Sequence, residues 1–170
     1  MNSKIFTRLN KIISGFPTNL RMKIYQHLSG GSIAPGSYIA PNCVIDNPKH
    51  LFIESGANIN RFCRFMTSDG KEASISIGKD TWIGCNVSFI CITHEIGGHE
   101  KRAGHPIFRP ITIGSGVWIG ADVTILPGVK IADGCVIGAG AVVTKSTQPD
   151  GLYVGNPSKR IKDLSEESME

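Results

Sequence analysis

From Ile113 to Thr144 the chain repeats every six residues, reading IGSGVW, IGADVT, ILPGVK, IADGCV, IGAGAV and then VT. An aliphatic residue recurs at Ile113, Ile119, Ile125, Ile131, Ile137 and Val143. Four residues after each of the first five stands a small or compact apolar one: Val117, Val123, Val129, Cys135 and Ala141. The position after the aliphatic is usually small (Gly114, Gly120, Ala132, Gly138), with Leu126 the exception. A helix repeats at about 3.6 residues and a simple strand at about two, so neither gives this period. A short fixed period marks units that cannot bury an apolar face alone and must stack on their neighbours. Six residues suit one short strand plus one sharp turn, so three such units close a triangular coil. The aliphatics then point inward, and the turns take Gly, Ala, Asp and Asn for their backbone freedom. The pattern predicts an all-β fold, a parallel β-helix.

The same period starts at Ile33, Ile39 and Ile45, slips by two through Asn47 to Lys49, and resumes at Ile53, Ile59 and Phe65. A polar insertion from Ser68 to Ser74 is expected to loop outward before the phase returns at Ile77, Ile83 and Phe89. Between His94 and Ile111 the pattern stops in EIGGHEKRAGHPIFRP, whose three glycines, two prolines and five charges predict a long excursion from the prism. Loops of that length in a compact domain are usually functional or disordered. Before the repeats, Phe6, Leu9, Ile12, Ile13 and Phe16 recur at helical spacing, Pro17 interrupts, and a second short helix is expected from about Thr18 to Leu28. The division that follows is a helical cap over 1–30, a β-helix over 31–148 with a protruding loop at 95–110, and a C-terminal segment over 149–170 that carries a short helix. The acidic tail to Glu170 is expected to fray.

Composition changes this picture little. The net charge of +4 is too mild and unpatterned over the repeats to argue for nucleic acid. It is unevenly placed: no Asp or Glu precedes Asp46, while Lys4, Arg8, Lys11, Arg21 and Lys23 do. The first segment therefore has two readings, a cap over the open first coil or a basic amphipathic segment that rests on an anionic membrane or clasps a substrate. With no long apolar run and no signal-peptide layout, the chain is expected to be cytoplasmic. Cys43, Cys63 and Cys135 fall on the inward position four after an aliphatic and read as small buried hydrophobes. Cys85 and Cys91 fall two after one, near corners, and the absence of a CxxC pair argues against structural zinc.

The hexads, the loop after His94, WIG at 118–120, VVTK at 142–145 and GNPSKRI at 155–161 together resemble the hexapeptide-repeat acyltransferases, in their sugar O-acetyltransferase branch of maltose, galactoside and nodulation enzymes. The resemblance covers roughly residues 33–162. It implies a left-handed coil, where the general preference for right-handed crossovers would give the opposite. It also implies acetyl-CoA as acyl donor, a carbohydrate acceptor, a homotrimer, and active sites in clefts between neighbouring prisms.

Acyl transfer from a thioester needs a base for the attacking hydroxyl, a pocket for both substrates and donors for the oxyanion, and no metal. His94 is the natural base, since it stands where an ordered coil gives way to the excursion, and the resembled family has its catalytic histidine there. Glu95 either orients it or is simply solvated. Asn86 at a corner, Asn60 by resemblance, and His99 within the loop are candidate acceptor contacts. The small corner residues Ala121 and Ala139 would let a pantetheine arm run along the prism edge. Thr144, Lys145, Lys159, Arg160 and Lys162 would meet the cofactor's far end and its phosphates. Trp118 would pack on the cofactor arm or cleft wall, or else form an exposed ladder with Trp82, two coils' worth of hexads earlier.

Other readings stay open. Gamma-class carbonic anhydrases share the prism and bind zinc with three histidines, two of them spaced like His94 and His99, but the third should come from a preceding coil, where only His50, beside an irregular hexad, is available, and three ligands are the usual minimum. A non-catalytic scaffold and a xenobiotic acetyltransferase are the remaining alternatives.

Overall fold

A computed structural model describes residues 9–10, 12–67 and 73–165. The six-residue period closes into a three-sided parallel β-helix. One face stacks β3 (Leu51–Ile53), β6 (Ile75–Ile77), β11 (Ile111–Ile113) and β14 (Lys130–Ile131). The second stacks β1 (Tyr38–Ile39), β4 (Asn58–Ile59), β7 (Trp82–Ile83), β12 (Trp118–Ile119), β15 (Val136–Ile137) and β17 (Gly151–Val154), with β18 (Lys159–Asp163) at its edge. The third stacks β2 (Val44–Ile45), β5 (Arg64–Met66), β8 (Ser88–Ile90), β13 (Thr124–Ile125) and β16 (Val142–Val143).

Register follows the aliphatic phase. Ile39, Ile59, Ile83, Ile119, Ile137 and Tyr153 stand one above another on the second face. Ile45, Phe65, Phe89, Ile125 and Val143 do so on the third. All of these are buried, and the Phe65 and Phe89 rings lie parallel with centroids 4.9 Å apart. The two-residue slip is absorbed at a corner by a 3₁₀ turn over Pro48–His50, where the Asn47 side chain accepts from the Lys49 N–H.

Two constraints fix what the corners can hold. Stacked coils are only about 4.8 Å apart, so at Gly120 a Cβ would stand 2.6 Å from the backbone nitrogen of Ala139 on the next coil. At most hexads the chain turns through positive φ three residues after the aliphatic, at residues such as Gly36, Asn42, Gly56, Asn86, Asp122 and Gly140. Glycine, Asn and Asp tolerate that region, whereas other side chains lose about 1–2 kcal/mol there. Phe62, at φ 66°, breaks the rule.

The helix α1 spans Thr18–Leu28, as its spacing predicts, and buries Arg21, Met22 and Tyr25. Arg21 donates to the Ile39 carbonyl from Nε and Nη2 at 3.2 and 3.1 Å, and to the Phe16 carbonyl from Nη1 at 3.0 Å. The Tyr25 hydroxyl donates to Asn10 Oδ1 at 2.7 Å, and Asn10 Nδ2 donates to the Cys43 carbonyl at 2.6 Å. Burial pushes the Tyr25 phenol up. Of these acceptors the Ile39 and Cys43 carbonyls belong to the first coil, against which the segment packs. The expected contribution of Phe6 lies outside the described residues, as do most of the insertion from Ser68 and the acidic tail. No helix among the described residues is long and apolar enough to cross a membrane.

Two expectations are corrected. The C-terminal segment carries no short helix at 159–163: β18 is a strand antiparallel to β17, pairing Lys159 with Val154 and Asp163 with Gly151. The last coil leaves an open sheet edge, and a strand satisfies those backbone groups where a helix would not. The excursion is an ordered hairpin of β9 (Ile92–Ile96) and β10 (Ala103–Phe108), closed at its foot by the Arg109 N–H donating to the Cys91 carbonyl at 2.9 Å. Cys91, at that foot, lies near a corner as expected and is buried, and burial pushes its thiol up to about 12.

Candidate active site

The corner between the second and third faces stacks the small and amide residues. Successive coils there are joined by Asn86 N–H to the Arg61 carbonyl (3.1 Å), Asp122 N–H to Cys85 (3.0 Å) and Gly140 N–H to Ala121 (2.8 Å). Asn60, Asn86, Ala121 and Ala139 thus share one edge of the prism. Asn86 Nδ2 donates to Asp122 Oδ1 at 2.6 Å. A groove of about 470 Å³ opens low on this edge, lined by Asn42, Val44, Phe62, Arg64, Cys85 and Asn86. At its top, the Val154 side chain lies over Gly138, and Lys159 is the strand partner of Val154. Lys159 therefore stands on the strand next beyond Val154, at the top of this edge.

His94 occupies the other edge of the third face. The chain leaves β8, enters the hairpin, and returns to β11 on the first face. His94 lies on β9 opposite Pro106, with its side chain exposed. Rigid strand pairing holds its backbone while the imidazole stays free to meet a substrate. Glu95 follows it directly on the same strand, and successive strand residues face opposite sides, so Glu95 does not orient the imidazole. Thr144 and Lys145 cross this same edge: beyond them Ser146 Oγ accepts from Lys130 N and Thr147 Oγ1 from Ala132 N. Arg109 at the hairpin's foot lays its side chain over Gly128. It adds a cation to this edge that the sequence reading did not single out, although its place beside Pro110, just before the clean hexads resume, marked it.

The remaining candidates sit apart. His99 is exposed, facing Glu100 at 3.8 Å. Trp118 is 61% exposed and directly in register with Trp82, 62% exposed. The two stand on adjacent coils, because the excursion consumes the residues that would otherwise make another turn. Arg160 Nη2 donates to the Pro149 and Asp150 carbonyls and to Asp163, each at 3.1 Å, so it clamps the C-terminal turn. Lys162 pairs with Leu152. The structure thus divides the nominated residues between two edges of one prism: a base with Lys145 on one, small corners with amides and Lys159 on the other. One chain does not bring them together.

Residues 110–145 match the family model described as bacterial transferase hexapeptide (six repeats). The coil is the left-handed parallel β-helix that the sequence resemblance implied. The structure is similar to that of a maltose O-acetyltransferase from Clostridium difficile 630, with TM-score 0.86 and 28% identity over 97% of this chain and 87% of that one. It is also similar to a hexapeptide-repeat acetyltransferase from Vibrio cholerae complexed with acetyl coenzyme A, with TM-score 0.80 and 28% identity over 94% and 85% of the two chains. In sequence it is 44% identical over 111 residues to a putative acetyltransferase of Schizosaccharomyces pombe, covering 65% of this chain and 51% of that one. The chain spans about half the length of the first curated relatives it matches.

Proposed function

We propose that the protein is an acetyl-CoA-dependent O-acetyltransferase acting on a sugar hydroxyl, in a bacterial surface polysaccharide or its precursor, and that it works as a homotrimer. The observation that carries this reading is the separation of His94 from the small-cornered edge, which a second copy would bring together by presenting its own edge to the hairpin. The acetyl coenzyme A bound by the Vibrio relative and the sugar named for the Clostridium relative support the donor and the acceptor class.

In the proposed reaction the pantetheine arm lies along Ala121 and Ala139, with phosphates toward Lys159. Small residues there leave the backbone open to the arm. The acceptor hydroxyl attacks the thioester carbonyl while His94 takes its proton. The tetrahedral oxyanion collapses, the C–S bond breaks, and the imidazolium returns the proton to the leaving thiolate. One acetyl ester and one free thiol result. Lys145 and Arg109 supply positive charge on the edge of His94, where negative charge develops.

Among the described residues of one chain no three His, Cys, Asp or Glu side chains are grouped as metal ligands. The test against a scaffold is thiol release from acetyl-CoA across a panel of mono- and oligosaccharides, run beside melting with and without acetyl-CoA. The enzyme reading expects acceptor-dependent thiol and, at donor a hundred times its Kd, a stabilisation of about 2.7 kcal/mol. A panel that yields neither result contradicts it.

A further inference from the structure

We infer that the groove at Phe62 is a carbohydrate-binding subsite that holds a sugar ring on the phenyl face and selects for an anionic substituent through Arg64. Every other hexad corner with positive φ holds Gly, Asn or Asp, and a bulky side chain in that conformation is a genuine outlier. Burial does not compensate the cost, because Phe62 is 49% exposed. A strained, exposed aromatic therefore points outward to a ligand rather than inward to the core.

Its surroundings define the ligand. The groove is about 470 Å³, within the range of small-molecule sites, and its apolar floor of Phe62 and Val44 is flanked by the amides of Asn42 and Asn86. A pyranose ring has the matching character, with C–H groups on its faces and hydroxyls round its rim. Arg64 is the one charged residue in the lining, and no carboxylate belongs to it. Asp122, one coil on, is occupied by Asn86 Nδ2. A guanidinium beside a sugar ring favours a carboxylate or phosphate on that ring. Phe62 follows Asn60, a candidate acceptor contact, round the same corner, so the subsite lies low on the edge whose upper part is assigned to the donor. Its role as a specificity determinant rests on the acyl-transfer reading, but binding itself does not.

Phe62→Asn installs the residue type found at the Asn42 and Asn86 corners. Relief of strain is expected to raise the melting temperature by about 2–6 °C. The same variant is expected to weaken trigalacturonate binding about three- to tenfold, as measured by ligand-observed NMR titration. Arg64→Gln should reduce trigalacturonate to the affinity of maltotriose, which it exceeds in the wild type. Equal affinity of the wild type for both sugars, or unchanged binding by Phe62→Asn, overturns the inference. So does dissociation of the oligomer by Phe62→Asn in sedimentation, which would make the ring a contact between copies. Selective sugar binding without thiol release from any acceptor would keep the subsite and remove the transferase reading; thiol release without selective binding would do the reverse.

Discussion

A His94→Ala variant is expected to lose about 10²–10⁴-fold in turnover, the usual contribution of a positioned general base, while acetyl-CoA still binds with nearly unchanged affinity. The separation of effects follows from the division of the two edges. His94 is exposed on β9 and belongs to no part of the apolar core. Its loss leaves the coil stacking intact, so the melting temperature should hold. The donor contacts assigned to Ala121, Ala139 and Lys159 lie across the third face and are untouched. Glu95→Gln is the matched control. It alters a neighbouring side chain on the opposite side of the strand and should keep most of the activity. Measured by thiol release at saturating acetyl-CoA, a fully active His94→Ala protein would remove the proposed mechanism.

The largest expected effect on stability is that of Phe89→Ala, about 3–5 kcal/mol by analogy with other buried Phe truncations. Phe89 is fully buried and stacks on Phe65, with Ile125 above it in register. In a solenoid each coil rests only on its neighbours, so a void at the third coil weakens the contact between the coils below and above it. The aligned backbone ladders of three faces limit how far the walls can collapse into the gap. Denaturant unfolding at one fixed protein concentration reads the loss directly, since any oligomer would make the midpoint concentration-dependent. A loss below about 1 kcal/mol would mean that the site relaxes freely, contrary to close packing of the interior.

The prism was legible from its period because stacking makes each unit repeat the same demand: an inward aliphatic, a compact apolar residue four later, and a corner tolerant of close approach. That demand is local, so Ile39, Phe65 and Ile119 could be assigned inward without knowing what they touch. The helix at Thr18–Leu28 was legible for the same reason. Features that depend on a distant partner were not. Lys159–Asp163 became a strand because β17 offered it an edge. The hairpin from Ile92 needed pairing across a turn that the charged, glycine-rich stretch concealed. Trp82 and Trp118 are neighbours because the chain between them leaves the coil, which a count of hexads does not register. Phe62 was within reach, since its place in the hexad is where the other repeats put Gly, Asn or Asp. His94 was legible as a residue. The opposite facing of Glu95 required the strand.

The most direct measurement is complementation between two inactive variants, His94→Ala and Ala139→Phe, the second blocking the donor's edge with a bulky ring. Each expressed alone should release almost no thiol. Co-expressed in equal amounts, they should recover about a quarter of wild-type activity, because in a closed trimer with each site shared by two copies one site in four draws an intact histidine and an intact edge from different chains. No recovery at all would mean that base and donor edge serve the same site from one chain, and the account of a site built between copies would be wrong.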